Sequence, residues 1–375
     1  MPRPGKESDV RVILSCAGTG GHIYPAIAIA DRIREAEPDS EIIFIGTKKG
    51  MENEIVSKAG YTIYGINASA FYRRDILKNV KTLFDILRGS AQASGIIADF
   101  RPDAVIGTGG YVTGPVLRAA AKKGIDCYIH EQNAVVGLAN LLLEQYTKKV
   151  FISFEKSRVM LRRPSAAILS GNPVRKEFFT SDPSECRKAL GIEDGDFVVL
   201  AFGGSLGADV LNKAVLKLAE LMPEEGFRLY FVSGKRYHGE ISEKLSAAPP
   251  RKNLTLLPYA DNMPQLMLAS DLVISRAGAI ALSEIAASGK PSVLIPSPNV
   301  TNNHQYFNAE AVKEAGAAVM LQESSFGPDF RELANAVLSL YGDRAFLASM
   351  AEASAALGIK DAANIIYENI KNRNG

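Results

Sequence analysis

Residues 10–35 read VRVILSCAGTGGHIYPAIAIADRIRE. An apolar run ends in a glycine-rich turn, Gly18 to Gly21, and the turn opens a stretch whose apolar residues recur at helical spacing. Strand, glycine turn and helix in that order make the repeating unit of doubly wound α/β domains. Glycine permits the tight turn there, and the helix N-terminus favours an anion. His22 sits at the mouth of the helix, where an imidazole serves either as a capping and packing group or as a reactive one. Two common readings of a glycine loop are disfavoured. The dinucleotide fingerprint needs a third glycine where Ile23 stands, and no G-x-x-x-x-G-K-[ST] phosphate loop occurs anywhere in the chain.

The whole chain bounds what this unit belongs to. It has 375 residues, 47% of them hydrophobic, and single cores stop growing near ~250–300 residues, so two domains are expected. Lys and Arg number 43 against 41 Asp and Glu, which leaves no overall basic field and argues against a nucleic-acid partner. Cys16, Cys127 and Cys186 lie far apart without a C-x-x-C, so neither a disulfide framework nor a zinc knuckle is indicated and a reducing cytoplasm fits. The N-terminus lacks an apolar signal segment, and no run approaches the ~18–20 apolar residues of a spanning helix. The protein is expected to be soluble or to lie on a membrane surface.

Further apolar runs alternate with helical stretches: EIIFIG (41–46), AVIGTGG (104–110), DCYIH (126–130), KVFIS (149–153) and AAILSG (166–171). Continuous apolar runs of this length are the signature of buried parallel strands. GNPVRKEFF (171–179) and SDPSE (181–185) break the pattern and read as a linker. DFVVLAFGGSLGADVLNKAVLKLAEL (196–221) then repeats the opening unit, followed by FRLYFVSG (227–234), LTLLP (254–258), LVISRAG (272–278) and PSVLIP (291–296). The expected fold class is α/β, with two Rossmann-like doubly wound parallel-sheet domains, residues 1–172 and 173–354, facing across a cleft. The helical C-terminus, 355–375, is expected to cross back to the first domain. Ligands are expected near the C-terminal ends of the strands.

Taken in order, GTGGHIYPAIAIA, GTGGYVTGP, HEQNAVVGLAN, GNPVR, GGSLGADVLN and RAGAIALSEIAASGKPSVLIPSPNVTNNHQYFNA resemble the successive signatures of the MurG family of peptidoglycan glycosyltransferases, collinearly from about residue 11 to 310. The resemblance implies a two-domain GT-B fold. It implies an acceptor-binding, membrane-associated N-terminal domain and a C-terminal domain for UDP-N-acetylglucosamine (UDP-GlcNAc). The implied reaction moves GlcNAc onto the undecaprenyl-linked lipid I, giving lipid II and UDP with inversion, at the cytoplasmic face of the bacterial membrane.

An inverting transfer needs a base for the attacking hydroxyl and a means of stabilising the departing diphosphate. An imidazole, which free in water titrates near ~6.5, is the side chain suited to the first task, and the resemblance makes His22 the candidate base for the C4 hydroxyl of MurNAc. Thr19, Gly20 and Gly21 have backbone amides placed for the acceptor diphosphate and count also among the donor-site candidates; Gly109, Gly110 and Thr113 offer a second such turn. For the donor, Ser205 combines a hydroxyl with loop amides at a helix start, and Arg175 is positioned to neutralise phosphate charge. The resemblance assigns Glu284 to the ribose hydroxyls, Ala279 to a phosphate through its amide, and Ala260 with Met263 to uracil. It assigns Asn133, His304 and Gln305 to the sugar. His304 and Leu206 stand where the family tends to carry glutamine.

No metal or other cofactor is expected. Asp194-Gly195-Asp196 sits in a turn before a strand, and the four histidines, at 22, 130, 238 and 304, show no ligand spacing. The stretch 72–89 places Ile76, Leu77, Val80, Leu83, Phe84 and Leu87 at helical spacing, rimmed by Arg73, Arg74, Lys78, Lys81 and Arg88. Such a stripe suits an anionic membrane surface, or equally a helix facing its own core. Two alternatives stand beside the transferase: a UDP-GlcNAc 2-epimerase, and a non-catalytic nucleotide-sugar or membrane-docking subunit.

Overall fold

The apolar runs resolve into two parallel sheets, each with its own core. The structure is a computed structural model that describes residues 10–69, 76–204 and 207–372, with the side chains of residues 76–81 and 83 outside that description. The chain divides into two units, one of residues 1–173 and 361–375 and the other of residues 174–360.

In the first unit, β1 (Arg11–Cys16) leads into α1 (Gly20–Ala36), then β2 (Glu41–Thr47), α2 (Glu52–Lys58), β3 (Thr62–Ile66), α3 (Ile76–Phe100), β4 (Ala104–Gly109), α4 (Thr113–Lys122), β5 (Asp126–Glu131), α5 (Leu138–Leu143), β6 (Lys149–Ile152) and β7 (Ala167–Leu169). The strands lie in the order β3-β2-β1-β4-β5-β6-β7. Along β1, Val12, Leu14 and Cys16 join the cluster of α1 residues Ile23, Ile29 and Ile33, while Ile13 joins α4 residues Val116 and Leu117 on the other face. Both faces of the strand are therefore dry, which is why it reads as an unbroken apolar run.

The second unit begins with two short helices, α6 (Glu177–Thr180) and α7 (Pro183–Ala189). The segment SDPSE, read above as a linker, is instead the start of α7. Asp182 is its N-cap and accepts from the amides of Ser184 and Glu185 at 2.7 and 3.3 Å, with Pro183 in the first turn. Asp-Pro-Ser-Glu is as good a helix start as it is a loop, and the proline is at home where no intrahelical donor is needed. Next come β8 (Phe197–Phe202), α8 (Asp209–Leu221), β9 (Phe227–Val232), α9 (His238–Ser246), β10 (Leu254–Leu257), α10 (Met263–Ala269), β11 (Leu272–Ser275), α11 (Ala279–Ala287), β12 (Ser292–Leu294), α12 (His304–Glu314), β13 (Ala318–Met320), α13 (Arg331–Gly342) and α14 (Arg344–Leu357). The sheet order is β10-β9-β8-β11-β12-β13.

α15 (Ala362–Lys371) returns to the first unit. Ile366, Tyr367 and Ile370 are buried with the α1 residues. Arg32 donates to Asn364 at 2.9 and 2.7 Å, and the Tyr367 hydroxyl donates to Glu37 at 2.7 Å. Among the described residues no helix is long and apolar enough to cross a membrane.

Candidate active site

Each sheet reverses its winding at one place, between β1 and β4 in the first unit and between β8 and β11 in the second. Such a switch point opens a crevice at the C-terminal ends of its strands, and the glycine turns emerge there. After β1 the chain passes through Gly18 into α1, whose first amides, those of Gly20 and Gly21, have no intrahelical acceptor. Thr19 is the N-cap, and its carbonyl accepts from the amides of His22 and Ile23 at 3.0 and 3.2 Å. Glu52, fully buried at the start of α2, accepts from Thr47 at 2.8 Å and faces the Gly18 amide at 3.4 Å. It holds the turn from below and carries no sequence signal, being 34 residues away.

The turn after β4 closes over His22. Gly109 has φ +124°, a conformation open to glycine, and a β-carbon there would stand 2.4 Å from His22 Nδ1. The Thr113 hydroxyl is buried and donates to the Gly109 carbonyl at 2.9 Å, so that side chain shapes the turn. His22 is half-buried, with Nδ1 3.1 Å from the Thr108 carbonyl oxygen and 3.1 Å from Gln132 Oε1. The Thr108 hydroxyl donates to the His22 carbonyl at 2.7 Å. β5 supplies His130, wholly buried, and the carboxylate of Glu131. That carboxylate accepts from the amides of Asn133 and Gly137 at 3.0 and 2.9 Å and from the Asn140 side chain at 2.8 Å. Glu131 thus organises the loop that presents Asn133.

In the second unit the turn after β8 folds back sharply. Gly207 has φ +75°, and a β-carbon there would meet the Ser233 carbonyl at 2.4 Å. Asn212 of α8 donates to the same carbonyl at 3.0 Å. Ser205 and Leu206, within this turn, lie outside the described residues. Ala279 opens α11 with Gly278 as N-cap, and Glu284 lies on that helix. Arg175 donates to Glu284 Oε1 from Nε at 3.2 Å and from Nη2 at 3.0 Å. Burial pushes the Glu284 carboxyl above the usual glutamate range, and Arg175 pulls it back in part. Arg276, missed in the sequence reading, donates to the Ile295 carbonyl at 3.0 Å and pairs with Glu323.

Before α12, Asn302 and Asn303 both take left-handed conformations, φ 54° and 52°. They deliver His304 with Nδ1 2.8 Å from the Thr301 carbonyl, and Gln305 with Oε1 accepting from the Ser297 amide at 2.9 Å. Ala260 is buried, and Met263 begins α10 half-buried. Asp194 and Asp196 lie in the turn before β8, where Asp196 pairs with Arg228.

Residues 12–152 match the glycosyltransferase family 28 N-terminal domain and residues 198–366 the glycosyltransferase family 28 C-terminal domain. Over 365 residues the chain is 42% identical to the UDP-N-acetylglucosamine--N-acetylmuramyl-(pentapeptide) pyrophosphoryl-undecaprenol N-acetylglucosamine transferase of Clostridioides difficile (strain 630), covering 96% of this chain and 88% of that protein. The chain belongs to the MurG family of glycosyltransferases. The crystal structure of MurG from Acinetobacter baumannii superposes with a TM-score of 0.79 at 28% identity, covering 96% of this chain and 99% of that one. A UDP-GlcNAc 2-epimerase from Neisseria meningitidis has a TM-score of 0.65 at 18% identity over 96% and 100% of the two chains, a likeness of fold alone. The two parallel sheets are thus those of a GT-B enzyme of the MurG family. In the stretch 72–89, Arg73 and Arg74 lie outside the described residues, and so do the side chains of Ile76, Leu77, Lys78, Val80, Lys81 and Leu83 on α3. Phe84 and Leu87 on the same helix are 62% and 61% exposed, so at these positions the stripe faces outward.

Proposed function

We infer that this chain transfers N-acetylglucosamine from UDP-GlcNAc to the C4 hydroxyl of MurNAc in lipid I, giving lipid II and UDP with inversion at the anomeric carbon. One observation carries the reading: 42% identity to a transferase of that name along 96% of the chain. His22 takes the proton of the acceptor hydroxyl as its oxygen attacks the anomeric carbon. The bond from that carbon to the UDP phosphate oxygen breaks, and the electron pair leaves on UDP. The amides at the start of α1 and in the Gly109–Gly110 turn receive the acceptor diphosphate. Arg175 and the N-terminus of α11 stabilise the leaving UDP in place of a divalent ion, and Glu284 receives the ribose hydroxyls. Ala260 and Met263 receive uracil, while Asn133, His304 and Gln305 serve the sugar.

The enzyme works as a peripheral protein on the cytoplasmic face of the membrane. The exposed Phe84 and Leu87 support this reading. So does a groove of about 430 Å³ between α3 and α4, lined by Leu87, Ala91, Arg118, Lys122 and Lys123. Apolar surface rimmed by cations suits an anionic leaflet.

The test is UDP release from UDP-GlcNAc with and without a short-chain lipid I analogue, the glycan product identified by mass. Acceptor-dependent release with a new disaccharide is expected. Release without acceptor, together with free ManNAc, would replace the transferase by an epimerase. Binding without turnover would replace it by a docking subunit.

A further inference from the structure

We propose that Gln132 is a positioning residue that, together with the Thr108 carbonyl, sets the tautomer of His22, and that buried His130 and the carbonyls of Thr108 and Gly171 orient Gln132 for that task. The proposal rests on the reading of His22 as the base and adds which nitrogen acts and what enforces it.

The proton positions follow from groups whose roles leave no choice. Nε2 of His130 lies 3.0 Å from the carbonyl oxygen of Gly171, and a carbonyl only accepts, so Nε2 carries the proton. His130 is fully buried, and burial pushes its pKa down to about 4. At neutral pH its Nδ1 therefore holds a lone pair. Gln132 Nε2 stands 2.9 Å from that Nδ1, 2.7 Å from the Thr108 carbonyl and 3.0 Å from the His130 carbonyl. Three acceptors surround this end of the amide, so it is the NH2 end; the flipped assignment would set a carbonyl oxygen against all three. Oε1 must then face His22, where it lies 3.1 Å from Nδ1, with the Thr108 carbonyl also at 3.1 Å. Two acceptors hold Nδ1 of His22 as N–H, and Nε2 is left with the lone pair.

This arrangement matters because a histidine side chain in water favours the proton on Nε2, the form in which Nε2 cannot accept one. The chain of contacts from Gly171 through His130 and Gln132 reverses that preference without a carboxylate. An amide fixes the tautomer while adding no charge beside the turns proposed to receive the acceptor diphosphate, which an acidic orienter would repel.

The test uses the full-length chain labelled with ¹⁵N-histidine. Four histidines give a resolvable set of imidazole signals, with His22 assigned by its loss in His22→Gln. Near pH 8 the wild-type His22 is expected in the Nδ1–H form. Gln132→Met removes one of the two acceptors at similar size and leaves only the Thr108 carbonyl on Nδ1, so the Nε2–H form is expected to appear beside the Nδ1–H form. With it kcat falls at least tenfold, toward the ~10⁴-fold seen when a catalytic histidine is locked in the wrong tautomer. KM for UDP-GlcNAc stays within about twofold, because ground-state binding is untouched.

A wild-type His22 in the Nε2–H form overturns the proposal whether or not the variants fold. An unchanged tautomer in Gln132→Met overturns it as well. A changed tautomer with unaltered kcat overturns the link to turnover. Full turnover by His22→Gln would instead remove the base reading while leaving the tautomer result standing, so the two failures are distinguishable.

Discussion

Arg175 donates from two guanidinium nitrogens, at 3.2 and 3.0 Å, to a single oxygen of Glu284, 109 residues further along the chain. The two residues expected separately at the phosphate and the ribose of one nucleotide are thus partners of each other. Glu284 Oε2 is not engaged by this pair. Under the proposed ribose role of Glu284, an arriving nucleotide would share or displace the guanidinium, freeing it to turn to the diphosphate.

Replacing Glu284 by Gln is therefore expected to weaken UDP binding about 10–100-fold, the ~1.5–3 kcal/mol of hydrogen bonds to a charged group. Burial raises the Glu284 pKa above its unfolded value, so ionisation costs the fold stability as pH rises through the raised value. The uncharged glutamine removes that cost, and the melting temperature should not fall. Calorimetric titration with UDP and a thermal scan at pH 7 check both; unchanged UDP affinity would reject the ribose role.

Removing the imidazole with His22→Ala should leave UDP-GlcNAc affinity near wild type while turnover drops ~10²–10⁴-fold, the range for loss of a general base. Steady-state rates beside donor titration decide it, and near-normal turnover would sink the assignment.

Gly109→Ala is the steric counterpart. Its β-carbon would lie 2.4 Å from His22 Nδ1 at φ +124°, so the imidazole or the turn must move. Backbone strain of ~1–3 kcal/mol is expected in stability, together with a turnover loss of ~10²-fold from a misplaced base and little change in UDP affinity. A Gly109→Ala enzyme with wild-type kcat would show that the turn has no part in placing His22.

His130 makes stability depend on acid. Its pKa is lowered by burial from 6.5 to about 4, so the unfolded chain binds a proton that the folded one refuses. Stability is full above pH 6.5 and is lost as pH falls toward 4, by about 3 kcal/mol at ~1.4 kcal/mol per unit. Denaturant titrations between pH 7 and 4.5 should show this slope in the wild type and a slope shallower by one proton in His130→Gln. Parallel curves would mean that His130 is not held neutral.

The outward faces of α3 are tested on vesicles. Phe84 and Leu87 are mostly exposed, and exchanging both for Glu replaces apolar contact with repulsion from an anionic leaflet. Cosedimentation with phosphatidylglycerol vesicles should fall at least tenfold, and KM for a long-chain acceptor should rise. Unaltered partitioning would move the membrane face elsewhere.

Most of the architecture was legible because it is written locally. Buried strands such as Phe197–Phe202 are unbroken apolar runs, and glycine turns mark their ends. The strands that escaped notice, Thr62–Ile66 and Ala318–Met320, are both at sheet edges, where one side is unpaired and the exposure pattern is mixed or the strand only three residues long. The supposed linker at Ser181 hid a capped helix, because Asp-Pro-Ser starts a helix or a turn with equal ease and only the following packing chooses.

The sequence by itself determined two tandem strand, turn and helix units, and the order of glycine loops that marks the family. Period and turn chemistry act over a few residues, and a one-dimensional string records them. Tertiary structure alone decided which groups surround His22. β1 pairs with β4, and β4 pairs with β5. That strand order brings Thr108 and Gln132, 86 and 110 residues away, onto one imidazole nitrogen. No spacing rule encodes such a contact, because strand neighbours are chosen by the packing of both sheet faces and not by distance along the chain.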